Sequence, residues 1–366
     1  MKKWFFLALC ALWMVPLSGS ASFMRLVPYQ RTVTKTYTVE SGARVNIENK
    51  YGKVNLHTWN KNQVQAIITI TTDGPTAENA QELSRQVEIT ANASANSVSL
   101  LTKYDPSILG GGGFWKKFFG GSSNTTKYVH IDYEVYMPGT VSATTVKNNY
   151  GDVAADGIPG DLSLQINYGN FHLNKIGGKL DLNANYCKGV WTGSGAGEFR
   201  TNYTDVNVDE VGDLDIRANY CDYKIGKAGK VSFHGNYGDV AAQDVEGIES
   251  QSNYTDFKIG TVRRQVNMSL TYGDVTIAQL GSNFSGLFLK GSYANVSIGV
   301  PTSLSLRADI RLSYGNIHTG DLHFPSVQKD DHGKTSTLKG STSGATANAP
   351  LLQVSANYTD VSLKAN

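Results

Sequence analysis

The chain lacks every common catalytic signature: no His-Glu-x-x-His, no phosphate-binding glycine loop and no nucleophile elbow occurs. Charge is nearly balanced, at +2 over 366 residues, too small to suggest nucleic-acid binding. Proline is scarce, with 9 residues, in agreement with a folded, β-rich chain. Cysteine is scarcer still, with three residues, too few for a disulfide-built scaffold. Long apolar runs are absent after the N-terminus. Glycine and tyrosine are abundant instead, with 38 and 19 residues.

The N-terminus has the form of an export signal. Lys2 and Lys3 precede the mostly apolar stretch Trp4–Leu17, and Ser18–Ala21 supplies small residues for cleavage. The run falls short of the roughly 20 residues of a membrane-spanning helix. Cys10 follows Leu9 where a lipobox needs a small residue, so lipidation is not expected. Residues 1–21 therefore read as a signal peptide, and the remainder as exported, periplasmic or on the cell surface.

A repeat dominates the rest. Asn149-Tyr150-Gly151-Asp152 returns in variant form around Tyr168, Tyr186, Tyr203, Tyr220, Tyr237, Tyr254, Tyr272, Tyr293, Tyr314 and Tyr358. The tyrosine spacings are 18, 18, 17, 17, 17, 17, 18, 21, 21 and 44, and an outlying copy surrounds Tyr51. A period of 17–18 is too short for helix-pair repeats. Apolar residues alternate before each tyrosine, as Leu214, Ile216 and Ala218 do before Tyr220. That is a strand with one buried face. A small residue at +1 and Asp or Asn at +2 break the phase. A second short strand follows, with Val206 and Val208 or Phe257 and Ile259 at +3 and +5.

Two strands and two corners per unit predict an all-β, single-chain parallel β-solenoid of about 17–18 residues per coil, with a right-handed β-helix favoured. Its eleven copies from Tyr150 make a rod on the order of 50 Å long. Alternation places the tyrosines on the inward face, which would give Tyr220→Ala a cost of about 3–5 kcal/mol. The competing reading is a surface aromatic ladder for glycans. The −1 asparagines are expected to bond along the axis. The +2 aspartates are expected to cap turns, with calcium as the alternative. Cys187 and Cys221 share the +1 column two coils apart, about 9–10 Å, beyond disulfide reach, and are expected as free thiols. His318, His323 and His332 with Asp321 form only a loose group, so no metal, cofactor or catalytic residue is assigned.

Residues 22–140 read as a β-rich capping region with the proto-coil at Tyr51 and one short helix over Thr76–Gln86, Thr76 being its N-cap. Residues 141–366 form the solenoid. Within the capping region lies the loop 105–127, where Phe114, Trp115, Lys116, Lys117, Phe118 and Phe119 sit between glycine runs. It is the candidate partner-binding loop, with a hairpin tip folded back on the domain as the plainer alternative. Residues 325–350, rich in Ser, Thr, Gly and Lys, are expected to be a flexible loop. The final coil is expected to expose an edge unless that loop or a second subunit covers it.

The repeat, the Trp59-x4-Val64 step and Tyr133-Glu134-Val135-Tyr136-Met137-Pro138 resemble the bacterial putative-adhesin β-solenoid family, related to auto-transporter head GIN domains and common in Bacteroidota. The resemblance spans about residues 30–366. It implies an exported β-protein without catalytic residues; this sequence departs in lacking an evident lipid or outer-membrane anchor. The function expected is a non-enzymatic envelope protein, an adhesin or binding scaffold for an envelope protein, a glycan or a membrane surface, with self-association through the C-terminal edge. The alternatives are a periplasmic sensor or regulatory scaffold and, behind it, a carbohydrate-active enzyme on a β-helix.

Overall fold

The computed structural model describes residues 26–104, 129–332 and 334–366. The leader and the Phe114–Phe119 loop lie outside these residues. The described chain is all-β with a single helix. Its strands belong to one large, mostly parallel sheet that does not close on itself.

Equivalent residues of successive repeats pair side by side. In β8 (Ala143–Asn149), β10 (Asp161–Asn167) and the start of β12 (Lys179–Asn219), Val146, Leu164 and Leu182 are aligned, and Asn148, Ile166 and Ala184 follow. The second strand of the unit behaves alike. Val54, Val153 and Phe171 align across β3 (Val54–Trp59), β9 (Val153–Ala155) and β11 (Asn170–Leu173). Further along, Val206 and Val208 of β12 meet Tyr223 and Ile225 of β13 (Tyr223–Thr271). A parallel register of one repeat stacks like on like, so the inward columns are continuous and mostly apolar, with Asn148, Thr201 and Thr204 among the buried polar members. Trp191, Phe199, Tyr223, Phe233 and Phe257 form a buried aromatic run within it. Burying each such side chain contributes about 1.5–3 kcal/mol.

The N-terminal region closes one end. β2 (Arg44–Lys50) pairs with β8 on one side and β6 (Ser97–Tyr104) on the other. β3 pairs likewise with β9 and β7 (Val129–Pro138). Antiparallel strands then extend both columns: β5 (Val87–Ser94) on β6, β4 (Gln63–Gly74) on β7, and β1 (Val27–Thr38) on β4. The expected helix is present as α1 (Ala77–Arg85). Thr76 caps it, accepting from the Asn79 N–H at 3.2 Å, and Ala80 and Leu83 are buried. Arg31 donates to the Ser84 carbonyl at 2.9 Å, satisfying the helix's C-terminal end.

The other end departs from sequence order. β21 (Leu351–Asn357) lies between β15 (Gly286–Ser292) and β17 (Arg307–Ser313), parallel to both. β22 (Val361–Ala365) lies in the same way between β16 (Val296–Val300) and β18 (Ile317–His318). The final repeat is therefore interior, with no open edge. The stretch expected as a flexible loop instead contains β19 (Ser326–His332) and β20 (Thr335–Ser341). β20 runs antiparallel on β17, and β19 pairs with β20. Unpaired backbone groups at the edge of β17 recruit this hairpin despite its polar composition.

Candidate functional site

The tyrosine column corrects the inward reading. All twelve repeat tyrosines, Tyr51 to Tyr358, hold φ between 49° and 66°, and they are the only non-glycine residues with positive φ among those described. The left-handed conformation shifts the phase of the strand. Alternation up to −2 is inward, as at Ala184, Thr201 and Ala218. The next buried residue is then +1, as at Cys187, Thr204 and Cys221, and the tyrosine between them turns outward. The rings of Tyr150 to Tyr358 remain 42–52% exposed.

The rings stack face to face in one row. From Tyr150 onward the centroids lie 4.7–5.1 Å apart and the planes within 9° of parallel. The row follows the sheet, so Tyr358 stands between Tyr293 and Tyr314. One end is closed by the edge of Tyr104 on Tyr51, 6.0 Å away, and the other carries the Lys334 ammonium 5.3 Å from the Tyr314 ring. Holding tyrosine at positive φ costs about 1 kcal/mol or more. Each stacked pair returns about 0.5–1.5 kcal/mol. The corner is sustained by its neighbours.

Polar ladders flank the row. Asn167 donates its amide to Asn149 Oδ1 at 2.7 Å, and Asn185, Asn202, Asn219, Asn236 and Asn253 continue the chain. On the other side the +2 aspartates accept from the next repeat's backbone, as Asp256 Oδ1 does from the Asp274 N–H and Asp274 Oδ1 from the Asn295 N–H, both at 2.8 Å. Cys187 and Cys221 are free and buried, and burial raises both thiols above their ordinary pKa. Thr204 lies between them, its Oγ1 accepting from the Cys187 N–H. No cluster of three or more potential metal-ligating side chains occurs among the described residues, the His318–Asp321–His323 stretch included.

One polar site had no signature in the sequence. His57 on β3 meets Glu134 of β7 through Nε2 at 2.7 Å and Asp156, just beyond β9, through Nδ1 at 2.5 Å. Tyr136 stacks on the imidazole at 4.8 Å, and Trp59 packs on Tyr136 at 5.4 Å. With both nitrogens engaged by carboxylates, His57 has no lone pair left for general-base chemistry. It ties the first repeat to the cap on one side and to the second repeat on the other.

No protein-family model matches the chain, and no curated protein matches it. Solved structures do. A "putative adhesin" from Bacteroides fragilis aligns at 15% identity over 65% of this chain and 97% of that one, with a TM-score of 0.36. A second "putative adhesin", from Parabacteroides merdae, gives 11%, 73%, 96% and 0.36 for the same quantities. A "putative lipid binding protein" from Parabacteroides distasonis gives 8%, 73%, 96% and 0.31. No helix among the described residues is long and apolar enough to cross a membrane.

Two outcomes follow from this geometry. Because Tyr220 is half exposed, Tyr220→Ala should cost about 1–3 kcal/mol in denaturant unfolding, the loss of two stacked contacts. Tyr220→Gly should recover about 1 kcal/mol of that, since glycine tolerates positive φ. A glycine variant less stable than the alanine variant contradicts the left-handed corner. For His57, desolvation alone lowers the pKa, but the hydrogen bonds and charges of Glu134 and Asp156 outweigh it and raise the pKa above its ordinary value. A raised folded-state pKa adds stability that is complete below the unfolded value of about 6.5 and is lost as pH rises through the folded value. The melting temperature difference between wild type and His57→Gln should therefore shrink as pH increases from 5 to 9. A difference that grows with pH contradicts this ion pairing.

Proposed function

We propose that the chain is a non-enzymatic, exported bacterial envelope protein, an adhesin or binding scaffold, whose repeats wind as a parallel β-solenoid. The solenoid reading is supported by the one-repeat parallel register in both strand columns. Export is supported by the Lys2–Ala21 leader. The observation that carries the binding reading is the tyrosine row. Eleven large aromatic side chains, Tyr150 to Tyr358, are held outward at the energetic expense of a left-handed backbone, where asparagine or glycine would turn the chain more cheaply. Exposed, regularly spaced aromatics of this kind supply contact area at small entropic cost. The Phe114–Phe119 loop is a second candidate contact on sequence grounds.

Fractionation of the native host, combined with N-terminal sequencing, tests the proposal. The expected product begins after Ala21 and is recovered from the periplasm, the outer surface or the medium. Recovery from the cytosol of a chain retaining Met1–Ala21 overturns it.

A further inference from the structure

The stacking of the tyrosines determines what they can bind. A sugar packs on the face of an aromatic ring, but here each interior face is covered by the next ring at 4.7–5.1 Å. What remains open is a straight row of ring edges with their hydroxyls. A flat conjugated molecule lying along the row covers several edges at once and takes their apolar area out of water.

The surroundings give that molecule a length and a sign of charge. An open trench of about 470 Å³ is lined by Tyr254, Tyr272 and Tyr293 together with Asp239, Asp256, Asp274 and Gly273. A side chain at Gly273 would meet the Thr255 backbone of the neighbouring repeat, so glycine here permits the close approach of successive repeats. Asp256 and Asp274 each commit Oδ1 to a backbone N–H. No lysine or arginine forms an ion pair with Asp239, Asp256 or Asp274 among the described residues. The carboxylates would not make a site alone. Beside the ring edges they select a cation over an anion of the same shape.

We infer that the trench between the tyrosine and aspartate ladders is a binding site for an elongated, planar aromatic cation aligned with the row. The inference rests on the proposed binding role of the ladder and specifies its ligand class. Affinity arises from apolar area buried along consecutive tyrosine edges, and charge selectivity from the aspartates.

Titration of the purified full chain with thioflavin T, an elongated aromatic cation, tests the inference. The dye should bind saturably with increased emission. The anionic aromatic anilinonaphthalene sulfonate should bind about tenfold more weakly or worse. The variant Asp256→Asn/Asp274→Asn keeps a side-chain oxygen for each backbone N–H while removing both charges, and should weaken thioflavin binding by about tenfold. Tyr254→Asn/Tyr272→Asn, in which asparagine tolerates positive φ, should abolish binding while thermal unfolding remains cooperative. Should that variant fail to fold, the aspartate variant decides. Absence of saturable binding, equal affinity for the two dyes, an unchanged aspartate variant, or displacement of the dye by a neutral cello-oligosaccharide each overturns the inference. The titration does not depend on cellular location, so its failure leaves the fractionation result standing, and the converse holds equally.

Discussion

A tyrosine at positive φ turns the corner in each repeat, and the other regularities of the molecule follow from that corner. The left-handed residue moves the buried position from 0 to +1, which lets one strand's inward face pass into the next without exposing apolar side chains. It also leaves the backbone paired: Tyr150 donates its N–H to the Asn167 carbonyl and Tyr168 to that of Asn185, so the parallel ladder continues through the turn. An isolated corner would carry the strain uncompensated. Stacking makes the strain a property of the whole row, and it makes each repeat dependent on its neighbours, as one-dimensional repeat architectures are.

Such an array must solve the problem of its ends. A parallel sheet with open terminal strands templates further strands and aggregates. The N-terminal end is closed by antiparallel strands and the single helix, and His57 binds that closure to the first two repeats through two carboxylates. The opposite end is closed by inserting the last repeat one position inward and covering the displaced β17 with a hairpin. The cost of this arrangement is kinetic. Residues 286–300 and 307–318 acquire their common neighbour only when residues 351–366 are available, so this end cannot assemble in simple chain order.

Much of this was legible in the sequence because repetition amplifies weak signals. Period-two alternation before each tyrosine identified the strands, spacing identified the unit, and Thr76 marked the helix start. The asparagine and aspartate ladders followed from stacking identical residues. What was not legible has specific causes. Tyrosine is not a residue that advertises positive φ, so alternation alone carried it to the wrong face. The interval of 44 residues before Tyr358 signalled an insertion, but linear spacing cannot say which repeat becomes whose neighbour. His57, Glu134 and Asp156 come from three separate segments and share no spacing rule. The site therefore emerged half from the sequence, which supplied its residues, and half from the backbone, which turned them outward.

The central claim, that the repeat tyrosines form an exposed row and not a buried column, is tested most directly by nitration of the native protein with tetranitromethane, read out per tyrosine by mass spectrometry. Tyr133 and Tyr223, both fully buried, serve as internal controls. The structure predicts modification of Tyr168, Tyr186, Tyr220 and Tyr254 in the folded state while Tyr133 and Tyr223 react only after unfolding. Protection of the repeat tyrosines to the same degree as Tyr223 would contradict the account.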